Sequence, residues 1–260
     1  MRDLLLKIFS DDIGGPDITV FGFFHILYLF IILGLTFLIN YLLLKKSQET
    51  KTKALNIMAL ILVILYLGDF FVHPFKTGEN ALIVDKLPFH ICTLSCVLIA
   101  ITRVFPNHTK GIRQAVPILG LVGSLMYITY PNGAVGPGVK AFSYTILQTF
   151  IYHGLLFMYG VTSIVTLDIE VNYKKIWVEA IMIASLVLIA LGANASYTTP
   201  EHHYDWFFVT GSSFGVNKYL MPFLMFVIIF AMCNAIYLIT YGVKAIIKKK
   251  QNNNEKELNA

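Results

Sequence analysis

The sequence LPFHICTLSC, residues 87–96, opens an apolar run that ends near Phe105. This run has about the length of a membrane-spanning helix, since roughly 20 apolar residues cross the hydrocarbon core of a bilayer. It also carries a histidine, two cysteines and two hydroxyl side chains. Polar groups at membrane depth are expensive, so they generally face a protein interior or a water-filled cavity. The stretch therefore predicts a membrane protein with a functional site inside its helix bundle.

Six further apolar runs of similar length surround this one. The seven predicted spans are 18–44, 54–73, 87–105, 112–130, 144–167, 174–193 and 218–247. Of the 260 residues, 57% are hydrophobic and 13% are charged, a composition that excludes an ordinary soluble domain. We predict an all-α polytopic membrane protein, with a single seven-transmembrane-helix domain over residues 1–250. The polar residues 251–260 are predicted to form a disordered cytoplasmic tail.

The basic residues determine the predicted orientation. Of the 20 lysines and arginines, 14 fall on one side of the membrane and 6 on the other when the spans alternate. The side richer in basic residues is the cytoplasmic one, so we expect the amino terminus outside and the carboxyl terminus in the cytoplasm. These residues do not form one basic soluble face, which argues against a nucleic-acid partner. The linker from Lys45 to Lys53 is instead predicted to contact anionic lipid headgroups at the cytoplasmic face.

Polar residues within the spans recur at one depth. When the seven spans alternate across the membrane with the amino terminus outside, the outer half of the bundle contains His25, Asp69, His73, His90, Cys92, Gln148, His153, Asn194 and Tyr197. The inner half is nearly free of such groups apart from Asn40, Glu179 and Asn234. Glu179 is predicted to be an ordinary carboxylate at the cytoplasmic interface. The agreement in depth predicts a polar cavity open to the outside or to the outer leaflet.

Three of these residues are candidate catalytic groups. His153 lies about nine residues into its span, roughly 13 Å from the outer end at 1.5 Å per residue, so it needs a partner inside the protein. Cys92 lies in the first turns of span three, where a helix amino terminus favours the thiolate. His90 and Cys92 are two positions apart and point in different directions on a regular helix. A base for Cys92 must therefore come from another span.

The other residues have structural interpretations of comparable weight. His25 alone is typical of a histidine bonded to the carbonyl of a neighbouring helix. Asp69 and His73 share a helix face, and they form either an oriented carboxylate–imidazole pair or an ion pair at a wet helix end. Tyr127, near the end of span four, is typical of an interfacial aromatic belt. We nevertheless predict a set of substrate-binding residues: His25, Asp69, His73, Gln148, Asn194 and Tyr197.

Four parts of the sequence resemble a known family. They are the early His25, the Leu87 to Cys92 motif, the Gln148 to His153 segment and residues 194–200. In this order and spacing the chain resembles the YwaF-type family of bacterial integral membrane proteins, related to the eukaryotic transmembrane protein 164 group. The resemblance covers nearly the whole chain and implies a multi-span helical protein.

The resemblance also implies an activity. The eukaryotic relative resembles a phospholipid acyltransferase that uses a cysteine and a histidine. His90 and His153 match the two histidines of the family pattern. The eukaryotic cysteine directly precedes the motif histidine, where this chain has Phe89, and Cys92 is nearby but not at the same position.

The leading hypothesis is a lipid acyltransferase or another lipid-modifying enzyme at the outer leaflet, with a membrane lipid as substrate. His153 would be the general base, Cys92 the nucleophile, and His90 with Asn194 or Tyr197 would bind and polarise the acyl carbonyl. This hypothesis requires no cofactor and no metal.

Two other functions are compatible with the sequence. One is a protein that binds or transports a small solute through the outer cavity. The other is a metal or haem protein whose ligands are His25, His90 and His153, because His25 and His153 lie at similar depth. In the enzyme hypothesis, Thr93 or a bound water would replace Cys92 if the thiol does not react.

Overall fold

A computed structural model describes residues 4, 9, 14–77, 86–131, 134–136, 138–199, 203–210 and 215–258, with backbone alone for 73–77 and 247–258. These residues form seven α-helices and two short 3-10 helices, and no β-strand. The predicted all-α class is therefore confirmed. The helices are α1 (Phe23–Leu44), α2 (Gln48–Thr77), α3 (Ile91–Val104), α4 (Ala115–Thr129), α5 (Tyr144–Val165), α6 (Ile176–Tyr197) and α7 (Met221–Leu258). The 3-10 helices are Tyr173–Lys175 and Trp206–Phe208.

Each apolar run contains one helix, but some helix ends differ from the prediction. Helix α3 begins at Ile91 rather than near Leu87, because His90 has extended backbone (φ −96°, ψ 152°) and is the N-cap residue. Helix α7 continues to Leu258, past the predicted domain boundary at residue 250. The predicted boundary was based on low hydrophobicity, whereas the Glu and Lys residues of this segment are good helix formers. The division of the chain at residue 250 stays a prediction.

Four helices are long and apolar enough to cross a membrane. They are Phe23–Leu44, Gln48–Val72, Tyr173–Tyr197 and Met221–Ile246, with 22% to 39% of each apolar window buried. Their large exposed side chains include Phe30, Phe37, Leu188 and Phe223. Exposed apolar surface on this scale is typical of helices that face lipid. Helices α3 and α4 are apolar but shorter, at 14 and 15 residues.

Helix α4 is the centre of the bundle. Every residue from 114 to 124 is buried, as expected for a helix surrounded by other helices. Two glycines let the neighbours approach closely. A Cβ on Gly123 would lie 2.5 Å from Ile91 Cγ2 of α3, and one on Gly160 of α5 would lie 2.6 Å from Leu121 Cβ. Glycine therefore lets α3 and α5 lie close to α4.

The loops collect at two ends of the bundle. At the first end, Lys140 Nζ lies 2.6 Å from Asp17 Oδ1, and Tyr66 of α2 donates its hydroxyl to the Lys86 carbonyl at 2.7 Å. We call this the His90 end, because His90 caps α3 there. The opposite end, where α3 finishes with Arg103 in its last turn, is the Arg103 end.

Candidate functional site

His153 is held by α5 itself. Its Nδ1–H donates to the Thr149 carbonyl at 2.9 Å, and its ring stacks on Tyr127 of α4 with centroids 4.0 Å apart. Tyr152 meets the ring edge-on at 5.1 Å. A nitrogen that donates to a carbonyl must carry the proton, so the neutral ring presents a lone pair at Nε2. We find no hydrogen bond to Nε2 from any described residue.

His90 has the opposite tautomer. Its Nδ1 accepts the backbone N–H of Phe207 at 3.1 Å, so the neutral ring carries its proton on Nε2. Phe207 and Phe208 have positive φ values of 59° and 55°, an uncommon conformation for aromatic residues. This backbone turns the Phe207 N–H toward the histidine.

Cys92 packs tightly between helices. It is only 6% exposed, and its Sγ lies 3.1 Å from the place that a Cβ on Gly123 would occupy. The Tyr152 hydroxyl donates to the Cys92 carbonyl at 3.1 Å, and the Tyr152 ring touches His153. Tyr152 thus connects the two predicted catalytic residues, but we find no hydrogen bond between the thiol and the His153 ring among the described residues.

A polar cavity of about 90 Å³ lies at the His90 end. Its lining consists of Asp69, Val72, Lys86, Tyr144, Thr145, Gln148 and Thr149. Two predicted substrate-binding residues, Asp69 and Gln148, are therefore brought together. The cavity adjoins His153, because Thr149 lines it and also accepts the His153 N–H.

Asp69 has a partner that sequence reasoning did not name. Lys86 Nζ lies 2.5 Å from Asp69 Oδ2, so the carboxylate is paired with a lysine. The side chain of His73 lies outside the described residues, and its pairing with Asp69 stays a prediction. No spacing rule relates Lys86 to Asp69, so sequence reasoning omitted it from the site.

His25 is not part of this cavity. It is fully buried at 0% exposure. Its Nδ1 accepts the Phe21 N–H at 2.9 Å, and its Nε2–H donates to the Ile128 carbonyl of α4 at 2.8 Å. This arrangement agrees with the structural interpretation of His25, a histidine bonded to the carbonyl of a neighbouring helix. Both ring nitrogens are used by the protein, so neither is placed to ligate a haem.

Asn194 and Tyr197 contact Trp206 in the segment 203–210 and do not line the Asp69 cavity. Asn194 Oδ1 accepts the Trp206 N–H at 2.8 Å, and its Nδ2 donates to the Trp206 carbonyl at 3.1 Å. Tyr197 contacts the Trp206 ring edge-on, with centroids 5.6 Å apart. Because Phe207 follows Trp206 and bonds to His90, the two residues position the segment that fixes the His90 ring.

Sequence reasoning missed other contributors to this site. Tyr127, expected in an aromatic belt, lies beneath His153. Tyr144 and Thr149 line the cavity, and their only signal in the sequence was helical spacing from Gln148 and His153. Trp206 lies in a loop whose contacts no local pattern encodes.

The Arg103 end contains charged and buried polar groups that bond to one another. Arg103 forms two hydrogen bonds with Asp168, at 3.1 and 2.7 Å. Glu179, expected at an interface, is 0% exposed, and its Oε1 accepts the Tyr237 hydroxyl at 2.5 Å. The prediction failed because it ranked residues by distance from span ends, whereas burial here comes from packing of α6 against α7.

Comparison with known proteins gives one match. A model of the TMEM164 family matches residues 20–241. That range contains all the predicted site residues and both ends of the helix bundle. No curated protein and no solved structure matches the chain.

Proposed function

The chain belongs to the TMEM164 family and is a multi-pass membrane protein, and from this premise we propose that it is a lipid acyltransferase or another lipid-modifying enzyme. Its site is the His90 end, comprising His90, His153 and the Asp69 cavity. The seven helices are seven spans in this proposal, with the amino terminus outside, so the site faces the outer leaflet. The grouping of Asp69, Lys86 and Gln148 around one cavity supports this threading.

The observation that carries the proposal is the opposite tautomers of His90 and His153. Acyl transfer needs a base for the attacking group and a hydrogen-bond donor for the carbonyl oxygen, where negative charge develops. His153 offers the lone pair of Nε2, and the proton of its Nδ1 is fixed by Thr149. His90 carries its proton on Nε2, because its Nδ1 accepts the Phe207 N–H, and in this proposal that N–H donates to the acyl carbonyl oxygen.

Cys92 is the proposed nucleophile in the thioester version. Its sulfur attacks the ester carbonyl carbon, His153 takes the thiol proton, and the leaving alkoxide receives that proton. The acceptor hydroxyl then attacks the thioester carbonyl carbon and passes its proton to His153. The carbon–sulfur bond breaks, and the Cys92 thiolate takes that proton back. The tight packing of Cys92 against Gly123 favours the direct version, in which the acceptor hydroxyl attacks the ester without a thioester.

The Asp69 cavity supports a lipid as the substrate. Its ion pair, Asp69 with Lys86, offers one charge of each sign to a headgroup. Gln148 and Tyr144 add neutral hydrogen-bonding groups. A zwitterionic headgroup bound there would leave its acyl esters near His153, since Thr149 belongs to both places.

The test is acyl exchange by the purified protein in lipid nanodiscs. The probes are a phospholipid with a labelled acyl chain and a lysophospholipid acceptor. His153→Gln should lower turnover by about 100-fold or more, the usual contribution of a general base. His108→Gln is the control, because His108 is exposed and precedes α4 at the Arg103 end. Undiminished exchange by a folded His153→Gln protein would overturn the proposal.

Cysteine variants separate the two versions. Cys92→Ala should abolish exchange in the thioester version and leave it largely intact in the direct one. Cys96→Ala is the matched control, because Cys96 is also buried, one turn deeper on α3. Full activity of Cys92→Ala would exclude the thioester.

A small-solute transporter is the second candidate. The observation that favours it is a further cavity at the Arg103 end, whose lining includes Arg103, Arg113 and Asp168, so charged groups line a cavity at each end of the bundle. The layer between them is closed, since residues 114–124 of α4 are all buried. Uptake of a labelled solute into liposomes without acyl exchange would favour this candidate.

A further inference from the structure

The larger of the two cavities described here lies at the Arg103 end, away from the proposed acyl-transfer site. Its volume is about 190 Å³, well above the roughly 10–15 Å³ that one water needs. Its lining consists of Thr52, Asn56, Thr102, Arg103, Pro106, Arg113, Pro117, Tyr159 and Asp168. These residues come from α2, α3, α4, α5 and the loops beside them. The cavity is therefore a junction of helices rather than a surface groove on one of them.

The charges in this cavity do not cancel. Arg103 and Arg113 both contact one carboxylate, Asp168, at 2.7 and 3.4 Å. Two guanidinium groups against one carboxylate leave a surplus of one positive charge. A surplus charge in a partly enclosed cavity attracts an anion.

The two arginines have different roles. Arg103 is committed to the protein, since its Nε donates to the Tyr159 hydroxyl at 2.7 Å and its other nitrogens bond both oxygens of Asp168. Arg113 makes one long contact, at 3.4 Å, and its side chain is 43% exposed. Most of its five N–H donors therefore point to no described protein group. Guanidinium groups of this kind bind phosphate through paired hydrogen bonds.

Exposed apolar side chains are neighbours in the chain of two charged cavity residues. Val104 and Phe105, which follow Arg103, are 67% and 54% exposed. Leu167, which precedes Asp168, is 67% exposed. These side chains suit the acyl region of a bilayer. Charged and apolar groups placed next to each other in this way match an anion that carries hydrocarbon chains.

We propose that the cavity lined by Arg103, Arg113 and Asp168 binds the phosphate of an anionic phospholipid headgroup. Basic pockets between membrane helices are known to take such headgroups. Arg113 supplies the free donors, and Asp168 holds both arginines in place. The site is separate from His153, so it does not depend on whether the protein transfers acyl groups.

The test measures lipid binding by the full chain. The protein is reconstituted in phosphatidylcholine nanodiscs with and without phosphatidic acid, and co-purified lipid is counted by native mass spectrometry. Arg113→Gln should lower retained phosphatidic acid by about tenfold, as expected for charge-assisted hydrogen bonds. Lys110→Gln removes the same charge from an exposed residue that does not line the cavity, and it should retain the lipid.

Two further arms complete the experiment. Inorganic phosphate is added to the protein in detergent, and the melting temperature is followed. Stabilisation by phosphate but not by the lipid, lost in Arg113→Gln, would show a soluble anion and overturn the lipid assignment.

If Arg113→Gln does not fold, Asn56→Phe obstructs the cavity from α2 and should also lower lipid retention. Retention of phosphatidic acid by both variants at the level of the unaltered protein would overturn the proposal.

Discussion

His25, His90 and His153 occupy three different hydrogen-bonding environments. His25 uses both ring nitrogens on backbone groups of the protein. His90 uses Nδ1 to accept a backbone N–H, and His153 uses Nδ1 to donate to a carbonyl. A ring with both nitrogens engaged on the backbone supports the fold, whereas the Nδ1 contacts of the other two rings set which nitrogen of each carries the proton. The three residues therefore have separable effects on stability and turnover.

Replacing His25 should destabilise the fold. His25→Leu leaves the Ile128 carbonyl without its partner in a buried place, which costs about 1–3 kcal/mol, and it also removes the partly buried bond to the Phe21 N–H. The melting temperature in detergent should fall clearly. His153→Gln is expected to change it much less, because the ring makes one hydrogen bond and is only half-buried. A His25→Leu protein as stable as the original would contradict the structural role.

Residue roles were only partly predictable. A structural role for His25 was one of its interpretations from the sequence. Its partner could not be predicted, because Ile128 is 103 positions away in the chain. The same limit applies to Asp69, whose carboxylate pairs with Lys86, a residue beyond the end of α2. Local spacing identifies residues on a shared helix face, but it does not show which neighbouring helix or loop supplies the partner.

At the scale of elements, the helices followed from hydropathy, whereas their packing did not. Helix α5 was predicted from its apolar run, and the structure shows why Gly160 lies in it. A Cβ there would approach the backbone carbonyl of Pro117 to 2.8 Å and Leu121 Cβ to 2.6 Å. Backbone atoms cannot move aside without displacing α4. The sequence showed a glycine in a helix but gave no information on which helix it faced.

Gly160→Ala should therefore destabilise the bundle. Overpacking of this kind typically costs about 1–3 kcal/mol. Gly34→Ala on α1 is the matched control, because a Cβ there would meet nothing within 4 Å. That control should be neutral or slightly stabilising, since alanine is the better helix former. Equal melting temperatures for the two variants would show that α4 and α5 are less closely packed than the structure has them.

Asn194 of α6 makes two hydrogen bonds to the segment 203–210. Asn194→Ala removes both hydrogen bonds to the Trp206 backbone, and the segment should loosen. Trp206 is 2% exposed, so its fluorescence should shift to longer wavelength as water reaches the indole. The measurement uses a Trp177→Phe background, because Trp177 is 59% exposed and would mask the change.

The same variant tests the link to His90. A loosened segment withdraws the Phe207 N–H that fixes the His90 tautomer, so acyl exchange should fall together with the spectral shift. Tyr197→Phe keeps the ring that touches Trp206 and should change neither. An unshifted spectrum in Asn194→Ala would refute the anchoring role of Asn194.

At the scale of the whole molecule, the number of spans and their direction rest on α4. This helix has 15 residues, or roughly 22 Å at 1.5 Å per residue, against a hydrocarbon core of about 30 Å. A helix exposed to lipid would be too short. Residues 114–124 are buried in protein on all sides, and irregular backbone at either end of such a helix is tolerated where protein surrounds it. We therefore expect α4 to connect the two membrane faces despite its length.

Cysteine labelling tests this expectation directly. In a background without Cys92, Cys96 and Cys233, single cysteines replace Lys110 before α4 or Lys140 after it. A membrane-impermeant maleimide should label the cysteine at 140 in intact cells and the one at 110 only after permeabilisation, because basic residues favour the cytoplasmic side. Labelling of both positions from outside would mean that α4 does not cross. Reversed labelling would keep seven spans but turn His90, His153 and the Asp69 cavity toward the cytoplasmic leaflet, which would then supply the lipid.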